Sequence, residues 1–203
     1  MREIKKLVNV SKSTIGLWCE NVKLTQIQEK TLTKNRIDGL KLASINAKKS
    51  KNTKRIDEEN YYLKLGISQV GKLNNRETFI TGIALYMAEG SKTGEGVEFT
   101  NSDPESIRFM AKWFVDYCGI TIDRIKCSLW LHKNLNEDEA KKYWSNLIHV
   151  PLSNFGKTYF AEIKNSKKII RKNYHPYGII KIRFYDVKKL RLIKGWIKGI
   201  LSA

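Results

Sequence analysis

The residues best able to do chemistry lie in residues 82–90 (GIALYMAEG) and in the nearby segment 97–103 (VEFTNSD). Apolar and small residues lead to one carboxylate, Glu89, followed at once by Gly90. An acid at the mouth of an apolar helix calls for a partner, a metal ion or a role, because removing charge from water is costly. The alternative is a helix end open to solvent, with its carboxylate hydrated. Glu95, Glu98 and Asp103 could supply further ligands, although Asp103 before Pro104 reads better as a helix cap. Residues 90–96 (GSKTGEG) are not a phosphate loop: the spacing before Lys92 is wrong, and the segment follows a helix instead of preceding one.

The elements that hold this segment belong to a strongly basic chain. Its 203 residues carry 38 Lys and Arg against 20 Asp and Glu, a formal charge of +18, which favours a polyanionic partner and nucleic acid first. With 41% hydrophobic residues and 10% aromatics the chain can bury a core. No apolar run is long enough to span a bilayer, and the N-terminus lacks a signal-peptide core. The expectation is a cytoplasmic protein with no membrane partner, nucleoid-associated if prokaryotic. Cys19, Cys118 and Cys127 form no C-x-x-C pair and read as reduced, packed thiols; His132, His149 and His175 lack zinc-ligand spacing.

Residues 1–28 show two short helical patterns joined by a tight turn. Ile4, Leu7 and Val8 form one apolar face; Ser11 is a good N-cap for a second helix whose Ile15, Trp18 and Val22 should share a buried face. Ser11, Lys12, Ser13, Gly16, Leu17 and Asn21 are then the candidate DNA-reading positions of a helix-turn-helix. An ordinary helical hairpin would show the same periodicity. Residues 29–75 read as a basic, partly helical tether centred on 48–55 (KKSKNTKR), either solvated or touching phosphates.

Residues 76–203 predict an α+β domain: helix 77–89, strand 97–100, helix 104–117, strand 124–132, helix 137–148, strands 157–163 and 179–185, and a closing helix 187–201 striped by Leu190, Ile193, Trp196/Ile197 and Ile200. Trp113, Trp144 and Trp196 sit at core spacings. Trp130 and His132 share one strand face, read as core or sheet packing. Lys164, Lys167, Lys168, Arg171 and Lys172 form a second basic cluster, suited to a DNA backbone or simply a solvated loop.

Residues 3–18 (EIKKLVNVSKSTIGLW) resemble the helix-turn-helix of resolvases and small repressors, although no supporting helix precedes the pair. Residues 82–90 resemble the LAGLIDADG motif of homing endonucleases and related regulators. Laid without gaps, Ala84, Leu85 and Ala88 fall on its third, fourth and seventh positions, Glu89 on the final acid and Gly90 on the last glycine. The resemblance implies that two such helices pack together and deliver paired acids to a shared divalent metal at the DNA. There the metal would activate water and stabilise the leaving oxygen. With one copy of the motif, the pair requires a homodimer through the 78–89 helix.

On that reading Glu89 and Gly90 stand at a Mg²⁺ site, Glu89 is catalytic, and Lys181 is the matching basic residue on a strand that also carries Arg183 toward DNA. The whole chain is also similar to bacterial and archaeal proteins that join a helix-turn-helix to one such domain, through 84–92, 99–104, 155–159, 171–173 and 195–197. WhiA-type regulators, which combine the same two parts, act as DNA-binding factors. The expected function is sequence-directed binding of double-stranded DNA by a homodimer of transcription-regulator type. The alternative is a Mg²⁺-dependent homing-type endonuclease. An RNA-binding module ranks third, because no exposed aromatic pair is apparent in the sequence.

Overall fold

Ser11 caps the helix that follows it, its hydroxyl accepting from the Thr14 amide at 3.2 Å. A computed structural model of the chain describes residues 4, 7–8, 10–161 and 175–202. The expected helix over 2–8 lies mostly outside these residues, and Lys164, Lys167, Lys168, Arg171 and Lys172 lie wholly outside them. The chain divides into two units, residues 1–71 and 72–203.

In the first unit, α1 (Lys12–Trp18) is followed by α2 (Gln26–Val70). Only Ile15 of the face expected on α1 is buried; Trp18 and Val22 are each 61% exposed. For Val22 the physical reason is length. Helix α1 stops at Trp18 with Cys19 as its cap, so Val22 is not one turn further along the same face. The tether expected to be partly helical is one unbroken helix of 45 residues, about 68 Å long. It begins at a capping box, with Gln28 N bonding Thr25 Oγ1 and Thr25 N bonding Gln28 Oε1. It contains no proline and runs straight through the basic centre, helped by an Arg55–Glu59 pair at 3.1 Å. None of its residues is buried.

The second unit is α+β. Its elements are α3 (Asn75–Glu89), β1 (Gly96–Asn101), α4 (Pro104–Cys118), β2 (Lys126–His132), α5 (Glu137–Ile148), β3 (Phe155–Ala161), β4 (Ile179–Tyr185) and α6 (Val187–Leu201). Local chemistry sets the boundaries. An Asn74/Glu77 capping box opens α3, Asp103 caps α4 with Pro104 in its first turn, and Asn136 caps α5 ahead of Glu137, Asp138 and Glu139. The strand expected over 157–163 begins two residues earlier, at Phe155.

The four strands form one sheet in the order β1-β4-β2-β3. Antiparallel pairs join β1 to β4 and β4 to β2, whereas β2 and β3 run parallel. Alternation splits the sheet into two faces. Val97, Phe99, Cys127, Leu129, Leu131, Ile180, Ile182 and Phe184 enter the core, where they meet Ile107, Met110, Trp113, Phe114, Trp144, Leu190 and Ile193 from the helices. Trp113 and Trp144 are buried as expected, and Trp196 packs against the core while partly exposed.

Trp113 fixes α3 on this core. Its Nε1 donates to the Phe79 carbonyl at 3.2 Å, and its ring lies so close to the α3 backbone that a Cβ on Gly82 would fall 2.1 Å from Nε1. Gly90 is equally constrained, since a Cβ there would lie 2.6 Å from the Tyr86 ring. The two glycines at the ends of the central motif therefore serve packing within the chain.

Two outcomes follow. Gly82→Ala must push Trp113 out of place, and we expect a loss of roughly 1–3 kcal/mol of stability, read as a lower urea midpoint. Burial pushes the Cys118 and Cys127 thiols from 9.0, and the Tyr86 phenol from 10.0, each up to about 12. The unfolded chain releases these protons first. Stability should therefore be insensitive to these groups below about pH 9 and fall as pH rises from there toward about 12. Denaturation midpoints measured across that interval check the sign.

Candidate nucleic-acid interface

The sheet face opposite the core brings together residues from all four strands. Strand pairing places Glu98, Arg183 and Lys126 in one row and Thr100, Lys181 and Ser128 in the next. A third row runs from Ile179 through Trp130 to Tyr159. Lys157 lies beside Tyr159, its Nζ 5.4 Å from the ring centre. Among the described residues, this face carries the four cations Lys126, Lys157, Lys181 and Arg183 around the single carboxylate of Glu98.

Glu98 organises the middle of the face. Its Oε2 is 3.1 Å from Lys181 Nζ and its Oε1 is 3.8 Å from Arg183 Nη1, all three side chains being about a quarter to a third exposed. Lys181 also lies 5.3 Å from the centre of the Trp130 ring, and Arg183 5.1 Å from that of Tyr185. Lys126 Nζ donates to Asn154 Oδ1 at 2.7 Å, and Asn154 is held in turn by the Asp123 and Ile125 carbonyls. These contacts hold the four cations above a rigid sheet, which suits them to a row of phosphates.

Trp130 and His132 do share a strand face, but it is the outward one. Leu129 and Leu131 take the core side, so of the two packings expected for Trp130 the structure shows the sheet one, a stack on its strand partner Tyr159, and not the core one. Reasoning from sequence put Lys181 and Arg183 on a DNA-facing strand but missed the aromatic residues beside them, because β2 must be paired with β4 and with β3 before Trp130 can be set beside Lys181 and Tyr159. The aliphatic pair was the available signal, since two buried leucines leave Trp130 on the other side.

Glu89 is exposed at the end of α3. The next residues are stitched to β1: Gly90 bridges to Phe99, and Ser91 N donates to the Glu98 carbonyl at 2.9 Å. Phe99 is followed by Thr100, whose strand partner is Lys181, so Glu89 ends its helix near the Thr100–Lys181 row. On α3, Gly82, Ile83 and Tyr86 are buried in the chain's own core, while Ala84 and Ala88 are exposed and Leu85 and Met87 are half-buried. The apolar character of α3 is thus used inward by Gly82, Ile83 and Tyr86, while Ala84 and Ala88 leave small side chains on its exposed side.

Magnesium demands a near-octahedral set of oxygens. Glu89 is one carboxylate, Glu98 is committed to Lys181 and Arg183, and Gly90 contributes only backbone at a buried cap. Asp103 serves as a cap, its carboxyl held below the usual range by the Ser106 hydroxyl and amide. No group of three or more His, Cys, Asp and Glu side chains suited to a metal occurs among the described residues. A single chain does not by itself fit the ion.

On α1, Lys12, Ser13 and Leu17 are exposed and Gly16 is half-buried, with Asn21 exposed beyond the helix. The Ser11 hydroxyl is engaged with Thr14 and Ser13. No helix among the described residues is long and apolar enough to cross a membrane. No protein-family model matches the sequence, and neither does any curated protein.

Glu98→Gln should release Lys181 and Arg183 from their internal partner. We expect the variant to elute from a heparin column at higher salt than the parent. Equal or earlier elution would show that the face does not meet polyanions.

Proposed function

We propose that this protein binds double-stranded DNA in a sequence-directed manner as a homodimer of transcription-regulator type, built on a homing-endonuclease-like domain. The observation that carries the reading is the outward sheet face, where four cations surround one carboxylate in a chain of formal charge +18. Duplex binding depends first on neutralising phosphates, and each neutralised phosphate adds to the salt dependence. The fully exposed basic run 48–55 of α2 supports the same reading, because it presents its lysines without burying any of them. Sequence preference is assigned to Lys12, Ser13 and Leu17, all exposed on α1, and to Asn21, exposed in the turn beyond it. Dimerisation is assigned to the outward face of α3, where Ala84 and Ala88 would let a second backbone approach closely.

Glu89 is the residue that separates regulator from nuclease. Its exposed position at the end of α3 would allow a second copy to bring another carboxylate to the same place. The chemistry of a magnesium ion held there would be phosphodiester cleavage, and Glu89 would serve as a ligand.

The test is a set of binding curves with selected and random duplexes at several salt concentrations, in Mg²⁺ and in EDTA. Lys181→Ala with Arg183→Ala should weaken all duplexes alike and lower the salt slope by less than the roughly two expected of two unpaired cations, because Glu98 already neutralises part of their charge. Lys12→Ala with Ser13→Ala should instead shift sequence preference. Absence of salt-dependent duplex binding would sink the reading. Cutting that needs Mg²⁺ and is abolished by Glu89→Gln would replace the regulator with the enzyme. Ala88→Glu, on an exposed position, should leave the monomer folded and convert dimers to monomers in sedimentation velocity.

A further inference from the structure

The outward sheet face carries more than charge. Trp130 and Tyr159 are direct strand partners, with ring centres 5.1 Å apart and planes within 14° of parallel. Neither belongs to the core: Trp130 is half-buried and Tyr159 is 44% exposed. Lys181 and Lys157 place their ammonium groups 5.3 and 5.4 Å from the two ring centres. A second aromatic station, Tyr185, is 60% exposed and has the Arg183 guanidinium 5.1 Å from its ring centre. Along β4 it lies six residues from Ile179, the strand partner of Trp130, a separation of about 20 Å.

A duplex offers phosphates and base edges, because its base faces are stacked on one another. The cations of this sheet can use phosphates, but its rings find no matching face in a duplex. An unpaired strand supplies both. Base-on-ring stacking tolerates any sequence and contributes about 1–3 kcal/mol per base, and a basic groove tracking the backbone adds to it. We propose that the Trp130–Tyr159 row, with Lys157, Lys181 and Arg183, is a binding surface for single-stranded DNA. Bases stack on the rings, and the ammonium groups that now lie beside the rings move to the phosphates. The proposal rests on the DNA-binding reading above, which is why DNA is the occupant assigned, and it deepens that reading by adding an unpaired stretch to the partner.

Fluorescence anisotropy of the full chain with labelled oligodeoxythymidylate, oligouridylate and a DNA duplex tests it. The oligodeoxythymidylate should bind, and Trp130→Ala or Tyr159→Ala should each weaken it by roughly 5- to 150-fold. Trp130→Phe, which keeps a ring, should retain most of the affinity, and duplex binding should change little in all three variants. Circular dichroism confirms that each variant is folded. Duplex binding without oligodeoxythymidylate binding overturns the proposal and leaves the DNA-binding reading standing, whereas binding of neither sinks both. Tighter binding of oligouridylate would assign the surface to RNA and overturn the proposal. Equal weakening of duplex and single strand by Trp130→Ala would also overturn it.

Discussion

The second unit depends on the seating of one indole against one bare stretch of backbone. Trp113 reaches the α3 backbone only because residue 82 has no side chain, and its Nε1 bonds the Phe79 carbonyl at 3.2 Å. Phe79, Tyr117 and Trp196 pack around the same ring system, so α3, α4 and α6 are locked together by one aromatic cluster. With α3 fixed, its end is fixed too, and the Gly90–Phe99 bridge joins that end to the edge of the sheet. The position of Glu89 is a product of core packing long before it is a matter of chemistry.

The sheet converts that rigidity into a surface. Alternation sends aliphatic residues inward and leaves Glu98, Lys126, Trp130, Lys181 and Arg183 outward on strands whose register admits no slip without exposing the core. Side chains that would be mobile on a loop are held here by their neighbours: Asn154 pins Lys126, and aromatic rings sit beside Lys157, Lys181 and Arg183. Preorganisation of this kind lowers the entropy lost when a polyanion docks. The same face combines two chemistries, positive charge and flat aromatic rings, and on the proposed reading they would serve phosphates and bases.

Much of this fold was legible in the sequence wherever local signals agreed. Helix 137–148 has an Asn cap and an acidic first turn, strand 179–185 alternates cleanly, and helix 187–201 carries its apolar stripe; each has the boundaries read from the residues alone. The α+β character follows from those elements. What was not legible depended on distant pairing or on the absence of a breaker. Leu129 and Leu131 mark the inward face of their strand, but which residues stand beside Trp130 on the outward one depends on the β2–β4 and β2–β3 pairings. The 45-residue α2 looked broken because a lysine-rich run resembles a linker, yet nothing in it obliges the chain to leave the helix. For α1 the error ran the other way, since a periodic pattern was carried through Val22 past a helix that had already ended. Of the candidate site, Lys181 and Arg183 were found as residues, but their tie to Glu98, 83 positions away from Lys181, was not.

That tie has a thermodynamic consequence. A cation on an ordinary basic surface exchanges a diffuse cloud of dissolved anions for a phosphate, and the released ions drive the exchange entropically. Lys181 and Arg183 already have a covalently tethered counter-ion in Glu98, which cannot be released into solution. When a polyanion arrives, that carboxylate must be rehydrated in place. Binding at the centre of the face therefore draws less on ion release than the number of cations suggests. On the proposed DNA-binding reading it would rely more on contacts whose geometry must be right, with the middle of the sheet acting as a filter and its periphery as an adhesive.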